Sequence, residues 1–187
     1  REFILTTSPS MDILVSSNLE RLLYLSCGRD AAKTKAMMEQ LSTNGKYEIT
    51  ADMKEFMKDF YAGYADMEEN AKEIRKVFDD TGYLIDTHTG VAAAVYEQYK
   101  AKTGDTTKTL IASTASPFKF SASVLDALGK KPADGTDEYD MVELLHEVSS
   151  MEIPQSLAAL KTKPRRFDGS IDKSEMQQFV LQELHLS

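Results

Sequence analysis

Residues 3–23 read FILTTSPSMDILVSSNLERLL. An apolar triplet, Phe3-Ile4-Leu5, passes into a crowd of hydroxyls around Met11 and Asp12, and an amphipathic helix follows. The same order recurs twice. Tyr83-Leu84-Ile85 runs into Asp86-Thr87-His88-Thr89-Gly90, and Thr109-Leu110-Ile111-Ala112 runs into Ser113-Thr114-Ala115-Ser116-Pro117; each loop feeds a helix. Short apolar segments alternating with helices predict strands of a parallel sheet, since parallel strands need a crossover between them. In such a sheet the three polar loops share one edge, at the carboxyl ends of the strands, where open α/β sheets bind ligands.

Between the first unit and the second lies a strand-free run, residues 29–81, rich in Lys, Glu and Met. Periodicity predicts helices at about 18–27, 30–42, 51–62, 66–80, 91–102, 121–128, 138–149 and 173–185. Gly28 and Gly129 stand where C-terminal glycines belong. The organisation expected is therefore a strand-loop-helix at 1–28, a helical insertion at 29–81, two further strand-loop-helix units at 82–130 and a C-terminal helical segment at 131–187. The fold class is α/β, a helix-rich fragment of a parallel-sheet fold. Met37, Met38, Met53, Met57 and Met67 read as core filler of the insertion.

Composition narrows the function. A chain of 187 residues with 42% hydrophobic content and five prolines suits one packed domain or a large piece of a bigger one. A formal charge of -8 argues against a nucleic-acid partner, because phosphate backbones need clustered Lys and Arg. The one dense basic run, Lys161-Thr162-Lys163-Pro164-Arg165-Arg166, is broken by proline and reads as a solvated linker. No apolar stretch approaches the roughly 20 residues of a membrane helix, so no membrane partner is expected. The single cysteine, Cys27, has no activating neighbour in sequence and reads as a small core residue; it fits a reducing, cytoplasmic setting.

The loops hold the candidate chemistry. Ser17-Asn18-Leu19-Glu20 fits a capping box, Ser17 on an early N–H and Glu20 reaching back. That leaves Ser16, Asn18 and Arg21 unexplained, and a helix N-terminus with an Arg one turn in suits an anionic substrate. Glu20 opposes that reading unless a cation compensates it. Asp86 and His88 lack a third ligand for a metal, so no metal is expected; Thr87 or Thr89 can cap the helix, and His88 reads as a neutral wall residue. Ser113-Thr114-Ala115-Ser116 lacks the glycines of a nucleophile elbow, which disfavours a serine hydrolase. Its hydroxyls can return a hydrogen bond to the backbone or contact a ring nitrogen of a bound heterocycle.

Three stretches, LTTSPSMDILVSSNLERLLYLSCGRD (5–30), DDTGYLIDTHTGVAAAVY (79–96) and TLIASTASPFKFSASVL (109–125), closely resemble the C-terminal half of threonine synthase, a fold-type II pyridoxal-phosphate enzyme of the tryptophan-synthase β type. The likeness runs colinearly from Arg1 to Leu128 and less firmly beyond. It implies the reaction of O-phospho-L-homoserine with water to give L-threonine and phosphate, with pyridoxal phosphate as electron sink. It implies cofactor contacts from Ser113, Thr114 and Ser116, with Thr114 against the pyridine nitrogen, where a neutral hydroxyl would not hold that nitrogen protonated. Ser10, Asp12, Ser17, Asn18, Arg21 and His88 would line the substrate side.

The family's cofactor-bearing lysine lies in a Phe-Lys-Asp type motif far upstream, and its cofactor-phosphate loop is rich in Gly and Asn. This chain carries neither, and Lys119 belongs to a different motif. The expectation is a C-terminal portion that supplies part of an active-site wall, has no catalytic residue of its own, is inactive alone, and has the N-terminal portion of the same protein as its partner. The alternative is a non-catalytic ligand-binding or interaction module that keeps the fold.

Overall fold

The computed structural model describes residues 2–186; Arg1 and Ser187 lie outside the described residues. Two units are distinguished, residues 1–152 and 153–187. In the first, the helices are α1 (Ser17–Ser26), α2 (Ala31–Asn44), α3 (Ala51–Phe56), α4 (Met67–Thr81), α5 (Thr87–Thr103), α6 (Ser121–Ala127) and α7 (Glu138–Ser149). The second holds α8 (Gln155–Ala158) and α9 (Met176–Glu183), with short 3₁₀ turns at Ala159–Thr162 and Lys173–Glu175. The predicted basic linker falls in this unit and is exposed along its length.

Local chemistry explains most helix starts. Asp30 caps α2 by accepting from the Lys33 N–H, and Thr50 caps α3 by accepting from Met53. Asp66 and Glu69 form a reciprocal capping box at α4. At α1 the cap is Ser16, whose hydroxyl accepts from Leu19 N at 3.4 Å. The box predicted on Ser17 and Glu20 is therefore displaced by one residue, and Leu19 at the third position has no side-chain acceptor to complete it.

The parallel sheet does not form: among the described residues there is no strand. Phe3-Ile4-Leu5, Tyr83-Leu84-Ile85 and Thr109–Ala112 are non-helical segments without ladder hydrogen bonds. An apolar segment becomes a strand only when another pairs with it, and these three do not pair with one another. Leu84 and Ile85 are nonetheless buried, whereas Phe3, Ile4, Leu5 and Leu110 are exposed, Leu110 at 94%.

The first unit has two sets of packed helices. Leu23, Met37 and Met53 form the centre of α1, α2 and α3, with Cys27, Met38, Tyr47, Ile49 and Met57 packed around them. The Cys27 thiol sits 3.4 Å from Tyr24 O and from Thr34 Oγ1. In the second set α4 packs on α5 and α6, and α6 on α7. Ile74, Val124, Leu125 and Leu145 are among its fully buried side chains.

α5 ends in a small polar closure. Tyr99 donates from its hydroxyl to Asp105 Oδ2 at 2.6 Å, and Thr107 N–H donates to Asp105 Oδ1 at 2.8 Å. The Thr107 contacts first, then the Tyr99 hydroxyl, hold the Asp105 carboxyl down from 3.8 to about 2. A depressed folded-state value means the closure contributes fully above the ordinary carboxylate range and is lost as pH falls toward 2. Tyr99→Phe should move the Asp105 titration back up toward 3.8, read by carboxyl-carbon NMR against pH. An unchanged midpoint would show that Thr107 alone sets it.

Candidate functional site

Asp86 organises the region. It is completely buried and caps α5: Oδ1 accepts from His88 N at 2.8 Å and Thr89 N at 3.3 Å. The helix accordingly begins at Thr87, four residues before its predicted start, and the cap is Asp86 where Thr87 or Thr89 was expected. Asp places a short acceptor in reach of two early N–H groups at once, which a threonine hydroxyl does less well. Residues 87–90, read as loop, are the first turn of α5.

From this turn, contacts reach both neighbouring loops. Thr89 Oγ1 donates to Asp86 Oδ2 at 2.5 Å and stands 2.9 Å from Ser113 Oγ, which also lies 3.5 Å from Asp86 Oδ2. On the other side the fully buried Ser8 donates to Thr87 O at 2.9 Å. The three loops singled out in the sequence are thus joined through Ser8–Thr87 and Thr89–Ser113. Backbone pairing is not needed for that convergence; side-chain hydroxyls make it.

The first loop is closed on itself by Asp12. Its carboxylate accepts from Thr6 N at 2.7 Å and Thr6 Oγ1 at 2.8 Å, and Thr6 Oγ1 in turn accepts from Ser8 N at 3.0 Å. Both Asp12 oxygens therefore have loop partners. Ser10 is exposed in the 3₁₀ turn Pro9–Met11.

His88 rests its ring on Phe120, with centroids 4.8 Å apart. Its Nδ1 is 3.2 Å from Thr87 Oγ1 and 3.5 Å from Asp86 Oδ1. Its Nε2 is buried with no partner among the described residues. In the third loop the Thr114 side chain is exposed, and no described group hydrogen-bonds its hydroxyl; Ser116 precedes the turn Pro117–Phe120.

Ser17, Asn18 and Arg21 stand apart from this hydroxyl cluster. They are exposed on the first turns of α1, and no hydrogen bond joins them to the loops among the described residues. Ser17 and Arg21 line an open furrow of about 670 Å³ between α1 and α2, together with Glu20, Tyr24, Thr34 and Lys35. Among the described residues no three His, Cys, Asp or Glu side chains gather as a metal site, and no helix is long and apolar enough to cross a membrane.

Ser8 and Asn70 were not singled out from the sequence, and Thr87 and Thr89 were singled out only as possible caps of the helix. Asn70 Nδ2 lies 3.3 Å from Ser8 Oγ and 3.4 Å from Thr7 Oγ1. The one sequence signal for it was a polar amide on the buried face of α4 beside Ile74.

Residues 89–180 match the family described as threonine synthase, C-terminal. The threonine synthase of Methylobacillus glycogenes is 30% identical over 184 residues, covering 96% of this chain and 34% of that protein. The crystal structure of threonine synthase from yeast superposes with a TM-score of 0.75 at 27% identity, over all of this chain and 38% of that one. A PLP-bound threonine synthase from Brucella melitensis gives a TM-score of 0.64 at 35% identity, over 76% of this chain and 30% of that one. The fold is accordingly a helix-rich segment of the fold-type II class to which these structures belong. The chain spans about a third of the length of these relatives. It belongs to the threonine synthase family, to the C-terminal portion of it.

Proposed function

We propose that this chain forms the C-terminal wall of a threonine synthase active site, in cytoplasmic threonine biosynthesis. The reaction converts O-phospho-L-homoserine and water to L-threonine and phosphate, with pyridoxal phosphate held jointly with the N-terminal portion of the protein. One observation carries the reading. Of the two hydroxyls at the head of the third loop, Ser113 is engaged by Thr89 and Asp86 while Thr114 is exposed and unengaged.

That donor set fits the cofactor's ring nitrogen. Thr114 supplies a neutral hydroxyl to it, Ser113 fixes the backbone beside it, and Ser116 completes the loop. When bound, the cofactor supplies an electron sink for carbanionic chemistry on the substrate. The chain's own residues do the rest of what falls to this wall. Arg21 offers an exposed, permanently charged fork near the α1 N-terminus, the right chemistry for a phosphate monoester. Ser17 and Asn18 add short polar groups on the same turn, and Ser10 and Asp12 shape the loop facing the substrate. His88 presents the buried, unpartnered Nε2 as a hydrogen-bonding wall against Phe120. The exposed Phe3-Ile4-Leu5 and Leu110-Ile111 segments suit pairing with strands of the N-terminal portion, which would cover their apolar side chains.

Two experiments test this. The chain alone should release no phosphate from O-phospho-L-homoserine, and borohydride with pyridoxal phosphate should trap no stoichiometric adduct at a single lysine. Phosphate and threonine should appear when the N-terminal portion is supplied. A stoichiometric adduct on the isolated chain would overturn the assignment of the cofactor's lysine to the other portion. In the reconstituted protein, Thr114→Ala should weaken cofactor retention by about tenfold, the scale of one lost hydrogen bond. Ser149→Ala, whose hydroxyl bonds Leu145 O within α7, should not weaken it. Equal effects would displace Thr114 from the ring nitrogen.

A further inference from the structure

Asn70 stands in the first turns of α4, 2% exposed, in a run of sequence that no motif connects to the site. Asparagine is a poor residue for a helix interior, and a buried amide is costly unless its hydrogen bonds are made. Its Nδ2 donates to Ser8 and Thr7, more than sixty residues away, while its Oδ1 is buried with no partner among the described residues. Gly90 is the second anomaly, a glycine in the first turn of α5 where alanine would favour the helix.

Each of these residues explains the other. A Cβ at position 90 would come within 2.1 Å of Asn70 Oδ1 and 2.8 Å of Ile74 Cγ1. No side chain other than hydrogen leaves room for the amide. An apolar residue at 70 facing alanine at 90 would fill comparable space without burying an amide. What the observed pair adds is a polar hand from α4 onto the loop. Ser8, held by that hand, passes the contact on to Thr87 O at 2.9 Å, beside His88 and the Asp86 cap.

We propose that Asn70 is a positioning residue: lodged in the space left by Gly90, it clamps the Thr6–Asp12 loop onto the first turn of α5 and so fixes the substrate-facing loop relative to His88. The clamp itself stands on the geometry; its consequence for turnover rests on the functional reading above.

The experiment compares Asn70→Ala, Gly90→Ala and the double variant. Hydrogen exchange of the Thr6, Ser8, Met11 and Asp12 amides is read in the chain, and KM and kcat for O-phospho-L-homoserine in the reconstituted protein. Asn70→Ala should speed exchange of those four amides by about tenfold while the amides within α5 past its first turn keep their rates. KM should rise more than kcat falls. Gly90→Ala alone should lower the melting temperature, and adding Asn70→Ala should restore much of it, because removing the amide frees the space and lets Ile74 shift. The double variant, refolded but without the amide, should keep the fast loop exchange. Unchanged exchange of the four amides in Asn70→Ala would overturn the clamp, as would a double variant no more stable than Gly90→Ala. Fast exchange with unaltered KM would support the clamp and count against the loop's placement at the substrate, so the two failures are distinct.

Discussion

Asp86→Ala should destabilise the chain by about 3 kcal/mol, the sum of a lost helix cap and of the buried Thr89 hydroxyl deprived of its acceptor. The carboxyl group is inaccessible to solvent and serves four groups: the His88 and Thr89 N–H, the Thr89 hydroxyl and the Ser113 hydroxyl. An exposed cap loses less on truncation because water replaces the acceptor; here water has no access to the vacated position. Asp86→Asn keeps one acceptor oxygen and should cost about 1 kcal/mol, since a carbonyl can still cap the first turn. Urea unfolding of the three proteins checks this, provided the denaturant slope is unchanged. Near-equal losses for Ala and Asn would mean that the second oxygen, the one facing Thr89 and Ser113, carries the whole effect. A loss below 1 kcal/mol for Ala would mean that those hydroxyls find new partners, and the junction of loops would then be plastic.

The second large effect is expected at Leu125, which is fully buried in α6 among helices that pack from both sides. Leu125→Ala removes three carbons and leaves a space that α4 and α7 close only in part. About 2–5 kcal/mol should be lost, on the scale of other buried leucine truncations. A chain with a typical margin of about 5–15 kcal/mol would lose a large share of it. Leu110, 94% exposed, is the contrast. Leu110→Ala should change the stability of the isolated chain by no more than about 0.5 kcal/mol. The same substitution should weaken association with the N-terminal portion if that segment pairs there. A loss of several kcal/mol at Leu110 in the isolated chain would show that it is buried in some assembly of the chain itself.

Local periodicity captured the helices where the local chain decides them. α1, α2, α4 and α7 lie within two residues of their predicted limits, and their caps are residues that sequence rules favour. The reading overran α3, which ends at Phe56 and not at 62, because a long-range contact takes the chain elsewhere. Gln98 Nε2 donates to Tyr64 O, and Gly63 lies over Val95 and Gln98 on α5. α8 is four residues long, too short to leave a periodic signal. The apolar segments were read as strands of a parallel sheet, and no strand forms among the described residues: a strand is a property of two segments, and sequence shows only one at a time. The candidate site shows the same division. Ser113 and Thr114 could be named in advance only through the family resemblance, since their hydroxyls alone fit a backbone hydrogen bond equally well. Asn70 and Ser8 could not, because their meaning lies in contacts spanning about sixty to eighty residues.

The methionine-filled centre of α1, α2 and α3 has a chemical consequence. Met37 and Met53 are buried there, and Met38 and Met57 are half-buried against them. Thioethers let three short helices settle into a tight contact without the shape demands of branched side chains. They are also open to oxidants, and a sulfoxide is a polar, chiral group that such a contact cannot accommodate. Within this contact Met38 and Met57, the more accessible pair, should be converted by peroxide before Met37 and Met53. Each conversion would loosen the helices that carry Arg21, while the aliphatic set around Ile74, Leu125 and Leu145 would be untouched. The exposed Met11, Met67 and Met176 would be oxidised before the methionines of this contact, so damage to it would follow oxidation at the surface.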